Sequence, residues 1–288
     1  MPTKIEKDII SGQDTTGHEW DGVKELNRPL PKWWLYVYIA TVVYSVGQFV
    51  IYPSWPGISG YLHGTAGWSQ RGDVERAVAA VGQQRAVHMD KIAALPFDQI
   101  RADGQLNTVA LTAGRIAFAN NCQPCHGAGG TGSIGYPALG DDVWLWGGSY
   151  DAIQKTITFG IRSDHPDTRL SAMPAFGAAL KAEEIDAVTD HVMALYGTPT
   201  PGANATLGAK VFQEAQCATC HGDKGQGNPE QGGPRLASKV HLYGSDRASV
   251  RAQISNPRMG VMPAWNTRMD AATIKAVTMY VHQLGGGQ

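Results

Sequence analysis

Two short pentads constrain this chain more than anything else in it: Cys122-Gln-Pro-Cys-His126 and Cys217-Ala-Thr-Cys-His221. Both follow the pattern C-x-x-C-H, by which a c-type haem is attached. The spacing has a chemical reason. Two thiols three positions apart, on a turn running into a helix, reach the two vinyl groups along one edge of a porphyrin. The histidine that follows then lies under the iron and donates an axial nitrogen. C-x-x-C alone also occurs as half a zinc site, but two copies in one shared context favour thioether-linked haem. Cys122, Cys125, Cys217 and Cys220 are the four cysteines of the chain, so none is left for a disulfide or a thiolate-bridged copper centre. Two covalently attached c-type haems are expected, with His126 and His221 as proximal ligands. A net charge of -1 gives no reason to expect a nucleic-acid partner.

The pentads sit inside an internal repeat. Gly114-Arg-Ile-Ala-Phe118 precedes the first and Gly208-Ala-Lys-Val-Phe212 the second, with one extra residue before Cys217. After each comes a Gly-rich loop ending in Pro137-Ala-Leu139 or Pro234-Arg-Leu236, then Val143-Trp-Leu-Trp-Gly147 or Val240-His-Leu-Tyr-Gly244. Short helices are expected around Ile153/Ile157 and Val250/Ile254, followed by Met173-Pro-Ala-Phe176 and Met262-Pro-Ala-Trp265. Ile185, Val188, Val192 and Leu195 share their spacing with Ile274, Val277, Val281 and Leu284, one face of a closing helix in each copy.

Each copy resembles the class I cytochrome c fold, in which terminal helices cross and loops wrap the haem. Met173 and Met262 are the expected sixth ligands, because only these methionines are matched between copies; a thioether stabilises ferrous iron. Met193, Met259, Met269 and Met279 are unmatched or fall within helices. Pairing within each copy, His126 with Met173 and His221 with Met262, is favoured because local closure costs less chain entropy. A crossed pairing is the alternative, since the link from Gly197 to Asn204 is short. Pro137 and Pro234 are expected to accept a hydrogen bond from the proximal imidazole. Arg162 and Arg258 are candidates for a haem propionate or for ordinary surface. His165, His191, His241 and His282 have no histidine counterpart in the other copy and are read as structural or solvated.

Upstream, residues 1–32 hold five Lys/Arg and six Asp/Glu and read as a polar tail. Trp33 to Tyr52 is a run of twenty residues without a charge, long enough at about 1.5 Å per residue to span one hydrocarbon core. A cleaved signal peptide is a poorer reading, given the polar residues before the run and its length. Lys24, Arg28 and Lys32 precede the span and Arg71 alone follows closely, which orients the N-terminus to the cytoplasm and residues 53–288 to the periplasm. Val74, Val78, Val81 and Ile92 suggest an amphipathic helix ending before Pro96, with His88 and Met89 on its solvated face and a connector from Pro96 to Leu111. The expected fold is all-α: one N-terminal transmembrane helix and two tandem class I cytochrome c-like domains. The boundaries are a tail at 1–32, the anchor at 33–52, a linker at 53–108, domains at 109–197 and 205–288, and a link at 198–204.

The order of parts resembles the dihaem subunit III of cbb3-type cytochrome c oxidases. Beyond the pentads, the likeness rests on Asp21-Gly22, Glu25 and Asn27-Arg-Pro-Leu-Pro-Lys-Trp-Trp34 before the anchor, and on Tyr52-Pro-Ser-Trp-Pro56 after it. It implies an electron-transfer subunit of a bacterial inner-membrane oxidase. Such a subunit takes electrons from a periplasmic cytochrome c and passes them to a monohaem subunit and on to an oxygen-reducing, proton-translocating haem–copper subunit. No oxygen-reducing centre is expected on this chain. Competing readings are a membrane-anchored dihaem carrier for another periplasmic oxidoreductase, a dihaem peroxidase with one open iron position, and a zinc-stabilised binding module.

Overall fold

A computed structural model describes residues 4–285, which fall into two compact units, Met1–Gly82 and Gln83–Gln288.

The fold is helical as expected, and in the first unit the polar tail adds one short hairpin. Strand β1 (Thr15–Trp20) pairs antiparallel with β2 (Val23–Leu26), Trp20 opposite Val23. The two connecting residues, Asp21 (φ 48°) and Gly22 (φ 83°), both take positive φ. That is the demand of the tight hairpin turn whose twist matches the strands, and Asp-Gly is its usual sequence. A register irregularity between Thr15 and Glu19 includes Gly17 at φ 76°. Helix α1 (Lys32–Ile51) follows, twenty residues with none buried, consistent with a membrane anchor. It stops at Tyr52, where Pro53 disfavours further helix.

Helix α2 (Gln70–Ala94) runs from the first unit into the second. Within the second unit Ile92 is fully buried, and Met89, expected on a solvated face, packs into the same core cluster. The expected connector is helical. Helix α3 (Phe97–Ala102) occupies its start, and α4 (Gly104–Asn121) begins well before the repeat does. Asp103 caps α4 by accepting from the Gln105 and Leu106 amides, so the opening helix gains two turns that the apolar pattern alone did not reveal.

The remaining elements are α5 (Gln123–His126), α6 (Tyr150–Phe159), α7 (Ala182–Leu195), α8 (Ala205–Glu214), α9 (Cys217–His221), α10 (Arg247–Ser255) and α11 (Ala271–Leu284). Their packing overturns the in-copy arrangement. Opening helix α4 lies against α11, the closing helix of the second copy, and α8 lies against α7, the closing helix of the first. Two apolar clusters result. One joins Phe118, Ile153 and Ile157 to Ile274, Val277 and Val281; the other joins Val211, Phe212, Val250 and Ile254 to Ile185, Val188 and Val192. The copies have exchanged their C-terminal parts.

Three physical reasons favour exchange. The first is connectivity: nine residues join α7 to α8, whereas sixty separate α4 from α7, so α7 and α8 form the local antiparallel pair. Second comes charge. Asp186 and Asp190 of α7 meet Arg247 and Arg251 of α10, with Arg247 Nε 2.6 Å from Asp190 and Arg251 Nε 2.8 Å from Asp186. At the matching positions of the repeat α11 carries Lys275 and Met279, and α6 carries Tyr150 and Gln154. Third, Met279 is buried with Ile92, Ile100 and Leu106, a place where Asp190 would be an unpaired buried carboxylate.

The helices cross closely. A Cβ on Gly114 would lie 2.1 Å from the Ala276 carbonyl oxygen, and one on Gly208 2.3 Å from that of Ala187. The extra residue before Cys217 is absorbed by Gln216, which adopts the left-handed conformation (φ 59°, ψ 24°) between α8 and α9. In the first copy α4 passes into α5 through Cys122 in right-handed helical geometry.

Candidate functional site

Each pentad forms one short helix at the end of an opening helix, and each histidine is then fixed by a proline carbonyl. His126 Nδ1 is 3.0 Å from the Pro137 oxygen, and His221 Nδ1 is 2.9 Å from the Pro234 oxygen. With Nδ1 donating to a carbonyl, Nε2 keeps its lone pair for a metal. Burial pushes the pKa of both imidazoles down, more than the proline carbonyls push it up, so both are held neutral as ligation requires. Burial likewise pushes the Cys122 thiol up to about 11. The loops fold back over the pentads through matched bonds, Gly132 N to His126 O and Gly227 N to His221 O.

The methionine segments follow the exchange of helices. Met262 pairs with Ile161 through backbone bonds in both directions, and the Trp265 amide donates to Ile157 and Thr158. In mirror fashion, the Phe176 and Gly177 amides donate to Ile254 and Ser255. Each Met-Pro-Ala segment is therefore docked on the middle helix of the other copy. Met262 and Cys122 pack against one apolar cluster, and Met173 and Cys217 pack against the cluster that holds Phe212. Met262, and not Met173, lines the cavity that holds His126.

That cavity has a volume of about 760 Å³. Cys122, Cys125, His126 and Met262 all line it, together with Phe118, Ile153, Ile157 and Val277. Arg162 and Arg258 both reach the same cavity, as do Arg235 and Met259. Arg162, itself at φ 51°, donates to the Gly260 and Ser171 carbonyls. A planar apolar ring system with two thioether links, an axial histidine and an axial thioether matches this donor set and lining.

The other candidates lie elsewhere. His191 packs on Phe212, His282 stacks on Tyr150, and His165 contacts Phe159 and Asn266. Met193 takes a hydrogen bond from Tyr196, while Met269 and Met279 are core. His241, read from sequence as structural or solvated, lines the His126 cavity instead. Among the described residues no group of three or more His, Cys, Asp and Glu gathers as a zinc site would need.

Two matched histidines, each with a proline carbonyl behind it and a methionine segment docked across the repeat, point to a cytochrome c-type electron-transfer protein whose N-terminal helix is long and apolar enough to cross a membrane. The comparisons with known proteins narrow the class. Residues 109–192 and 203–281 match the family profile "Cytochrome C oxidase, cbb3-type, subunit III", and residues 12–59 match "N-terminal domain of cytochrome oxidase-cbb3, FixP". Among similar relatives, the cbb3-type cytochrome c oxidase subunit FixP of Bradyrhizobium sp. (strain ORS 278) is 47% identical over all of both chains. Subunit CcoP of Azospirillum sp. (strain B510) is 45% identical over 98% of each, and that of Cereibacter sphaeroides is 42% identical over all of both. The chain belongs to the subunit III family of cbb3-type cytochrome c oxidases. It is an electron-transfer subunit of such an oxidase, carries c-type haem and acts with other oxidase subunits.

Proposed function

We propose that Cys122 and Cys125 carry one haem and Cys217 and Cys220 a second, with His126 and His221 as proximal ligands and the methionines exchanged. Met262 completes the His126 site and Met173 the His221 site. The reciprocal docking of the two Met-Pro-Ala segments supports this reading above all else. The cofactor, when bound, supplies a reversible one-electron iron couple. The chain's own residues do the rest. Pro137 and Pro234 orient the imidazoles, the thioethers favour the ferrous state, and the apolar clusters around Phe118 and Phe212 keep water from the metal.

We further read α1 as a single inner-membrane span with the N-terminus cytoplasmic, on the strength of Lys24, Arg28 and Lys32 before it. Residues 53–288 then lie in the periplasm, where a cytochrome c donor reaches them. The chain passes electrons to the monohaem subunit and thence to the haem–copper subunit of an oxygen-reducing, proton-translocating complex. With both axial positions filled by protein, oxygen reduction belongs to that other subunit.

The alkaline pyridine spectrum should give two covalent haems per chain. Ligand pairing is tested after disabling one pentad. With Cys122→Ala and Cys125→Ala, the near-infrared thioether-to-iron band should survive Met262→Ala and vanish in Met173→Ala. In the mirror background, Cys217→Ala with Cys220→Ala, the dependence should reverse. Loss of the band with the in-copy methionine in both backgrounds would overturn the exchange.

A further inference from the structure

The loop from Gly232 to Arg235 faces two ways. The Pro234 carbonyl oxygen lies 2.9 Å from His221 Nδ1, which makes it part of the second site. Pro234 and Arg235 also line the cavity of His126, and both are exposed. A single residue of the second copy therefore belongs to both sites. Two glycines explain how the backbone comes so close. A Cβ on Gly232 would fall 2.3 Å from the ring of Trp146, which lines the first cavity. One on Gly233 would fall 1.8 Å from the Cys220 carbonyl oxygen of the second pentad. With no side chain at either position, the loop fits between the two. It is tied to the Met173 segment as well, because Ser171 Oγ donates to the Gly232 carbonyl at 3.2 Å. The repeat shows that this fit arises once: counted back from Pro137 and Pro234, the first copy has Tyr136 where the second has Gly233.

Resting on the haem reading above, we propose that Pro234 is the crossing point for electrons between the two haem sites. With its carbonyl engaged by His221, the pyrrolidine ring is the part left to face the first cavity. From that wall the route runs through the Pro234 carbonyl and the His221 Nδ1–H to the imidazole that ligates the second iron. One residue and one hydrogen bond complete it. One electron leaves a ferrous iron on one side and reduces a ferric iron on the other, so the step needs no proton and no further reagent. Pro234 acts here as a positioning residue, holding the second imidazole while bordering the first cofactor. Pro137, by contrast, holds the histidine of the cavity that it lines.

The test uses the full chain with both haems, in detergent, and follows one electron injected by pulse radiolysis as it redistributes between them. Both midpoint potentials are read alongside, so that rates are compared at known driving force. Pro234→Ala keeps the carbonyl and removes the ring. The inter-haem rate should fall while the second potential stays at its parent value. Pro234→Val, which restores apolar bulk, should recover the rate. Pro137→Ala, the same change at the other histidine, should leave the rate as it is. The pyridine spectrum separates the two ideas: fewer than two covalent haems in the parent chain would count against the haem reading itself. With haem content intact, an unchanged rate in Pro234→Ala, an equal fall in Pro137→Ala, or no recovery in Pro234→Val would overturn the proposal. So would a fall wholly accounted for by a shifted potential. Should Pro234→Ala lose a haem, the parent decides. With both irons ferric, electron-spin relaxation of the second haem should be faster than in Cys122→Ala with Cys125→Ala, and equal relaxation would overturn the crossing.

Discussion

Gly114→Ala puts the exchanged helix pair to a quantitative test. In isolation the change should help, because alanine is favoured over glycine within a helix by about 1 kcal/mol. The structure reverses the sign. The new methyl would fall 2.1 Å from the Ala276 carbonyl oxygen and 2.9 Å from Tyr280 Cβ. Ordinary contact needs about 3.5 Å, so α4 and α11 must part by roughly 1 Å, and a gap of that size forfeits a quarter to a half of each dispersion contact. The contacts at stake are those of Phe118, Val277 and Val281, all at or below 4% exposure. Overpacking of this kind costs about 1–3 kcal/mol or somewhat more. After the helix-propensity gain we expect a net loss of about 1 kcal/mol, read from urea unfolding of the holo protein. Gly82→Ala is the matched control: Gly82 lies in α2, where an added Cβ would meet nothing within 4 Å, and the same change there should stabilise by up to about 1 kcal/mol. Equal effects at the two sites would refute the close approach of α4 to α11.

Two further outcomes follow from named contacts. The hydrogen bond from Arg247 holds the Asp190 carboxyl below the usual carboxylate range. Its stabilising contribution is therefore complete above the unfolded carboxylate pKa and is lost as pH falls through the lower folded value. Asp190→Asn should lower stability by about 1 kcal/mol at neutral pH, a figure kept small because Arg247 is two-fifths exposed, and should flatten the acid limb of the stability curve. Parallel acid limbs would sink this assignment. Gln216→Gly should be neutral or stabilising by about 0.5 kcal/mol, since it removes a left-handed penalty of about 1–2 kcal/mol at the cost of glycine's extra chain freedom; a clear loss of thermal stability would show that the Gln216 side chain matters more than its backbone.

Much of the site is legible in the sequence because its chemistry is local. The C-x-x-C-H spacing names four thiols and two imidazoles, and the repeat singles out Met173 and Met262 from six other methionines. The proline carbonyls stand where the repeat put Pro137 and Pro234. Partner choice was harder, because a repeat makes its own alternatives equivalent: the apolar faces of α7 and α11 have the same spacing and either could cover α4. The deciding residues are those in which the copies differ. Asp186 and Asp190 answer Arg247 and Arg251, while Met279 answers Ile92, Ile100 and Leu106. Read as a charge pattern between helices, these differences signal the exchange in the sequence itself. The hairpin had a signal too, in Asp21-Gly22, but only short strands flank it within a strongly polar stretch.

The exchange of closing helices also sets an order of events during biogenesis. The half containing α7, α8, α9 and α10 is contiguous in the chain and can close before the C-terminal stretch has been synthesised. Its counterpart cannot: α4, made earlier, finds its partner only when residues 271–284 arrive. Such long-range closure is intrinsically slow. Cys122 and Cys125 consequently wait longer than Cys217 and Cys220 for the helix that completes their surroundings. A lesion in the last helix is thus felt at the first pentad, leaving the nearer one intact.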